Sequence, residues 1–218
     1  MQVSVILGHP RPGSLNQAIA RTAAETLTAL GHDVRYHDLC AEGFDPLIPA
    51  AELDRSVVLP PDVARHCAEI ASAEGIVVVH PNWWGQPPAI LKGWIDRVIR
   101  PGVCYEFIEG DDGEGVPRGL LKARQAVVFN TANTYPEREA AVFGDPLQLL
   151  WKNCIFDLCG VPGFYRRTFG VVCVSSPEER AAWLTEVRQT MTRLFPGRPG
   201  ALPLTPAGAP PLHPARGK

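Results

Sequence analysis

Residues 75–98 read GIVVVHPNWWGQPPAILKGWIDRV. The first six, Gly75 to His80, show no polar alternation, so both faces of this strand are expected to be buried, as in the centre of a parallel sheet. From Pro88 to Arg100 the apolar residues Leu91, Trp94, Ile95 and Val98 recur at helical spacing, which makes one buried helix face. Between strand and helix sit two adjacent tryptophans, a glycine and two prolines. A fully buried strand, a stiff turn and an amphipathic helix form one βα unit. Trp94 belongs to the helix stripe and reads as core. Trp83 and Trp84 are neighbours in one turn and cannot both point into the same core, so at least one is expected to line a pocket or a subunit contact.

The same alternation extends on both sides. VSVIL (3–7) is a short strand ending at Gly8, and a helix follows from Ser14 to about Leu30, stopped by Gly31. DVRYHDL (33–39) alternates like a half-exposed strand at a sheet edge. Pro61 opens a helix with Val63, Cys67, Ile70 and Ala71 on one face. QAVVFNT (125–131) is another central strand, and Asp145–Pro146 open a helix whose stripe runs Leu147, Leu150, Trp151, Cys154, Ile155, Leu158. FGVVCVS (169–175) is the expected fifth strand. Ser176, Pro177 and Glu179 form an N-cap, a first-turn proline and a capping box for the last helix. Five βα units with right-handed crossovers predict a doubly wound α/β fold, in a domain spanning 1–195. From Pro196 onward seven of the chain's 22 prolines fall within 23 residues, which predicts a Pro/Gly-rich tail outside the core.

Bulk properties narrow the function. The chain has 218 residues, 45% of them hydrophobic and 20% charged, with a net charge of −2, so nothing electrostatic points to nucleic acid or to an anionic membrane. No apolar run approaches the ~18 residues that span a bilayer, and the start has no secretory pattern. Six cysteines (40, 67, 104, 154, 159 and 173) form no CxxC pair and no zinc spacing; they read as small buried hydrophobes in a reducing compartment, with the cytoplasm as default. Cys154 and Cys159, five apart on one helix, are not expected to form a redox pair. The acids of EGDDGEG (109–115) lack calcium-loop spacing and read as a solvated turn, so no metal is expected.

In an open parallel sheet, ligands bind beyond the carboxyl ends of the strands. Three loops leave such ends here: GHPRPGSLNQ, HPNWWGQPP and NTANTYPERE. The first opens a helix, whose free N–H groups and dipole favour an anion, with Ser14 and Asn16 adding uncharged donors. It contains neither GxGxxG nor a P-loop lysine. A plain capping role for Ser14 and Gln17 is the competing reading, and His9 is either a phosphate neighbour or a histidine satisfied by backbone. In the second loop, Pro81, Asn82, Trp83, Trp84 and Gly85 suit a flat heteroaromatic ring. The third is dense in small donors.

HPNWWGQPPAILKGWIDRV, with GVCYEF after it and HPRPGSLN at the start, resembles the flavodoxin-like NAD(P)H:quinone oxidoreductase family, which includes mammalian-type quinone reductases and bacterial ancillary reductases of potassium-efflux systems. The resemblance implies a five-stranded sheet in the order 2-1-3-4-5. It implies that His9, Ser14, Leu15 and Asn16 surround a flavin phosphate. Pro81, Asn82, Trp83, Trp84, Gly85, Asn130, Thr131, Ala132 and Asn133 would hold the ring, of FMN or alternatively FAD. Trp84, Tyr105 and Phe107 would contact the acceptor, the last two as a lid reaching a partner copy in a homodimer. Trp84, Tyr105 and Tyr135 form the candidate catalytic set. Mammalian-type members carry two glycines where this chain has Ala132 and Asn133, and a histidine where it has Phe143. The implied activity is ping-pong hydride transfer from NAD(P)H through the flavin to quinone-like, azo or nitro aromatic acceptors. A flavodoxin-like electron carrier and an ancillary subunit of a membrane transporter are the alternatives.

Overall fold

In the computed structural model, which describes residues 1–54, 56–108 and 117–197, five parallel strands form one sheet. They are β1 (Gln2–Leu7), β2 (Asp33–Asp38), β3 (Gly75–Pro81), β6 (Gln125–Thr131) and β7 (Gly163–Phe169). Their order is β2-β1-β3-β6-β7, with Val5 opposite Val77, Val79 opposite Phe129 and Thr131 opposite Phe169. This is the expected order, with β6 and β7 as the fourth and fifth sheet strands. A separate antiparallel pair, β4 (Tyr105–Phe107) and β5 (Pro117–Gly119), lies beside it.

Alternation along each buried strand sends side chains to two cores. Val77 and Val79 join Val3, Val5, Leu7, Val127 and Phe129 under α1 (Leu15–Ala29) and α6 (Pro177–Leu194). Ile76 and Val78 join Ile6, Ala126 and Val128 on the other face, under α2 (Pro61–Ser72) and α3 (Ala89–Val98). Trp94 and Trp151 are both buried there. The Ser176 capping box is formed in both directions.

Three expectations are corrected. The fifth strand is GFYRRTF (163–169), not 169–175. Its two arginines disguise it, but as an edge strand it neutralises them locally: Arg166 pairs with Asp145, and Arg167 with Glu186 at 2.7 Å. Gly170 then turns the chain where a Cβ would sit 2.8 Å from the Ala132 carbonyl, and residues 172–174 form a 3₁₀ turn. Second, the helix from Pro146 stays helical only through α5 (Pro146–Gln148) and continues as a wider π-helix over Leu149–Asp157. This turns Cys154 outward while Trp151, Ile155 and Phe156 stay buried. Third, the cysteines are not uniformly buried. Cys67, Cys104 and Cys159 are, Cys40 is half-buried, and Cys154 and Cys173 are exposed, with all six unpaired. Cys154 and Cys159 thus differ in exposure, as expected of a non-pair. Within NTANTYPERE the structure also starts a short helix, α4 (Pro136–Phe143). The acidic run 109–115 and the tail from residue 198 lie outside the described residues.

Candidate functional site

The three loops meet. A cleft of about 480 Å³ is lined by His9, Ser14 and Asn16 from the first, Pro81 and Trp83 from the second, and Thr131 to Thr134 from the third. It adjoins a second compartment of about 350 Å³, with Asn82, Ala132, Asn133 and Thr134 shared between the two. Both volumes fall in the roughly 300–1,000 Å³ range of small-molecule sites.

The first compartment is built of donors. Ser14 caps α1, its Oγ accepting from Gln17 N at 3.2 Å, and Gln17 Oε1 accepts from Gly13 N at 2.7 Å. The capping role is therefore real, but it consumes only the third helical N–H. Those of Leu15 and Asn16 have no intrahelical acceptor and face the anion-favouring end of the dipole. His9 Nδ1 accepts from Arg11 N at 3.1 Å, and burial lowers its pKa, leaving a neutral ring with its proton on Nε2. Asn16 is buried and its Nδ2 donates to Thr131 Oγ1 at 2.9 Å, while its Oδ1 has no partner among the described residues. Arg11 and Arg180 also line this compartment. To the uncharged donors Ser14 and Asn16 the structure adds two guanidinium groups and their positive charge. Arg180 Nε is held by Ser175 Oγ at 2.8 Å and its Nη2 by the Val172 carbonyl at 3.2 Å.

The second compartment takes its shape from the tryptophan turn. Trp83 and Gln86 exchange backbone hydrogen bonds of 3.1 and 3.0 Å, and the two residues between them both have positive φ, 58° at Trp84 and 70° at Gly85. That is the pattern of a type I′ turn, where asparagine–glycine is usual. Gly85 is required twice over, since a Cβ would also meet Pro146 Cγ at 2.6 Å. Trp84 sits in a backbone region that costs an ordinary L-residue about 1–2 kcal/mol, yet its ring is fully exposed and recovers none of that by burial. Trp83, half-exposed, lies in the first compartment with its ring centre 6.0 Å from that of His9. Neither ring is core. Asn82 anchors the turn: its N–H donates to the Thr131 carbonyl at 2.7 Å, its Oδ1 accepts from Gly85 N at 2.9 Å, and its Nδ2 donates to Glu139 Oε1 at 2.9 Å.

Below this floor lies a saturated polar network. Trp151 Nε1 donates to His80 Nε2 at 2.8 Å and Asn130 Nδ2 approaches the same nitrogen at 2.9 Å, so the ring proton is on Nδ1, which donates to the Pro81 carbonyl at 2.8 Å. Burial pushes the His80 pKa down to about 4, and a second ring proton would face two donors. Asn130 Oδ1 accepts from Arg166 Nη1 at 3.1 Å. Asn130 is thus fully committed beneath the cleft and does not line it, a correction to its expected ring contact.

The structure brings together His9, Ser14, Leu15, Asn16, Pro81, Asn82, Trp83, Trp84, Gly85, Thr131, Ala132 and Asn133. Tyr135 caps the start of α4 and is exposed, outside the described lining, while Phe143 lines the second compartment. Tyr105 and Phe107, edge-to-face at 5.7 Å, line neither compartment of their own chain. Sequence reading missed Arg180 and Val172, carried in by α6 and by the turn after β7 with no local signal, and Glu139. Arg11 stood within the first loop and was open to detection. A flavin meets a suitable donor set here: an anion end at α1, an orphaned buried amide oxygen at Asn16, and an apolar slot beside Trp84.

A family profile described as flavodoxin-like fold matches residues 1–193. An uncharacterized NAD(P)H oxidoreductase of Haemophilus influenzae is 30% identical over 83% of this chain and 89% of its own. The ribosyldihydronicotinamide dehydrogenase [quinone] of Mus musculus is 26% identical, over 91% of this chain and 94% of its own. Among solved structures, the NAD(P)H:quinone oxidoreductase from Methanothermobacter marburgensis superposes with a TM-score of 0.74 at 24% identity, covering 89% of this chain and 96% of that one. That likeness bears on the fold.

Proposed function

The chain belongs to the flavodoxin-like family, among its NAD(P)H oxidoreductase enzymes, and from that premise we propose that it uses FMN to pass hydride from NAD(P)H to quinone-like, azo or nitro aromatic acceptors. The observation that carries this reading is the two-part cleft, with an anion-binding half at the α1 N-terminus and an apolar half walled by Trp84, Phe143 and Pro146.

In this reading the N–H groups of Leu15 and Asn16, with Ser14, His9, Arg11 and Arg180, hold the flavin phosphate. Asn16 Oδ1 accepts from the polyol chain. The loop 131–134 and the turn 82–85 grip the ring, and backbone N–H groups near it stabilise negative charge as preorganised dipoles. Bound there, the flavin supplies reversible two-electron hydride chemistry that the side chains lack. Trp84 provides a flat wall for nicotinamide and acceptor in turn, which predicts ping-pong kinetics. FMN is favoured over FAD because one anion pocket serves one phosphate and, among the described residues, no loop is dedicated to an adenosine half. Tyr105 and Phe107, away from the cleft of their own chain, are read as a lid for a partner copy in a homodimer. Among the described residues no helix is long and apolar enough to cross a membrane.

The test begins with the absorbance spectrum of the purified protein, followed by heat release and chromatography of its chromophore. Anaerobic addition of NAD(P)H is expected to bleach the chromophore, and a quinone to restore it. A colourless protein that takes up no FMN sinks the proposal. Bleaching without reoxidation by any organic acceptor favours the electron-carrier alternative.

A further inference from the structure

Reducing a quinone to its diol takes two electrons and two protons. A hydride carries both electrons and one of the hydrogens, and the other proton must come from elsewhere. We propose that Glu139 supplies it, an inference that rests on the reading of the cleft given above.

Among the described side chains lining the apolar compartment, Glu139 is the only one that titrates. Its neighbours there are amides, a hydroxyl, aliphatic carbon and two aromatic rings. Phe143 has no proton to give, and Tyr135, the tyrosine nearest in sequence, is exposed outside the lining. Glu139 is half-buried and oriented: Oε1 accepts from Asn82 Nδ2 at 2.9 Å, and Asn82 is itself pinned to β6 and to Gly85. One carboxyl oxygen is thereby fixed as acceptor, and no hydrogen-bond partner for Oε2 occurs among the described residues. Glu139 lies in the first turn of α4.

A further recess, of about 30 Å³, also takes Glu139 into its lining, together with Asp145, Arg166, Thr168 and Asn82. It has room for a water with several polar partners. Asp145 and Arg166, paired with one another, line it with Glu139, and Glu137 and Arg138 adjoin Glu139 along α4. Glu139 therefore touches the acceptor side and a polar recess at once, as a residue that gives a proton and recovers it must.

The step balances. A hydride drawn ultimately from NAD(P)H would bring the acceptor two electrons and one hydrogen and leave it a monoanion. The Glu139 O–H bond breaks, an acceptor O–H bond forms, and the carboxylate regains its proton from solvent. Glu139 is on this account a catalytic acid, in a class that contributes about 10²–10⁴-fold to rate.

Glu139→Gln keeps an oxygen for Asn82 but has no proton to donate; Glu139→Asp keeps the acid on a shorter arm. Each variant is compared with wild type for chromophore content, anaerobic bleaching by NAD(P)H, and turnover with a benzoquinone against ferricyanide, which takes an electron and no proton. The quinone-to-ferricyanide turnover ratio is expected to fall at least tenfold in Glu139→Gln and to recover partly in Glu139→Asp. Bound 4-nitrophenol, followed by its visible absorbance, should ionise at a different pH in Glu139→Gln than in wild type, because the variant's amide cannot exchange a proton with the phenol. An unchanged ratio overturns the proposal, as does an equal loss with both acceptors. A wild-type protein that is never bleached by NAD(P)H overturns the underlying function instead, so the two failures are distinct.

Discussion

Two polar regions of this molecule look alike in composition and differ in what they leave over. Beneath α2, His37 places Nδ1 2.9 Å from Glu42 and Nε2 2.5 Å from Glu69, while His66 Nδ1 accepts from Trp94 Nε1 at 3.2 Å. The cleft instead holds the uncapped N–H groups of α1, an orphaned Asn16 oxygen and a strained, solvent-exposed Trp84. His37, Glu42 and His66 present ligand-type atoms within 4.8 Å of one another, which taken alone invites a metal. The Trp94 hydrogen bond argues otherwise. It fixes the His66 proton on Nε2, facing Glu42 at 3.4 Å, and a metal on that nitrogen would push the proton onto Nδ1, against an indole N–H. The first region uses its polar groups to bind β2, α2 and α3 together. The second holds groups in reserve, and reserve is what a ligand needs.

The largest expected effect tests how completely the saturated networks hold their histidines neutral. His80 has a folded pKa near 4 against 6.5 in a free chain, so between those values the unfolded state binds the extra proton and stability falls as pH falls. The loss approaches about 3 kcal/mol for this one group, and His66, its pKa lowered by burial and then by the charge on His37, acts in the same direction. Urea midpoints measured from pH 7 to pH 4 should drop accordingly; a flat profile contradicts the assigned protonation. Next in size, Trp94→Phe deletes the donor that His66 Nδ1 needs and should cost about 2 kcal/mol in the same assay. A cost near zero would put the bracket's strength elsewhere.

In the cleft the sign reverses. Trp84→Asn puts a residue suited to positive φ into the turn and gives up no burial, so it should gain up to about 1 kcal/mol. Acceptor turnover is expected to fall in the same variant, more than chromophore retention does. Destabilisation on this substitution would mean that the ring packs on something in solution, with the partner copy as first candidate. Smallest for the fold is Arg11→Gln, expected within about ±0.5 kcal/mol of wild type. Its effect belongs in dialysis, where the chromophore should be lost faster; equal retention removes Arg11 from the phosphate shell.

The interior was legible in the sequence wherever burial alone set the pattern. GIVVVH and QAVVFNT could only be central strands, and Ser176 to Glu179 spelled out a capping box that formed. The apolar rule failed at the edge, where GFYRRTF was passed over for FGVVCVS. An edge strand is free to carry arginines when carboxylates from other segments reach them, and those carboxylates are far away in sequence. Asn130 was misread for a related reason. Its place at a strand end suggested a ligand contact, but His80 and Arg166 bind its side chain from two other strands, and Trp151 fixes the same His80 nitrogen.

By itself, then, the sequence determined that strands alternate with helices, with four of the five sheet strands in place, and that three loops leave the carboxyl ends of β1, β3 and β6. Local periodicity and turn chemistry suffice for that because they act over a few residues. Only the tertiary structure decided which polar groups are spent and which are spare, that Arg180 and Val172 close the cleft, and that Glu139 is the titratable group in its apolar half. Those outcomes depend on hydrogen-bond partners brought from distant parts of the chain, and no local pattern records who those partners are.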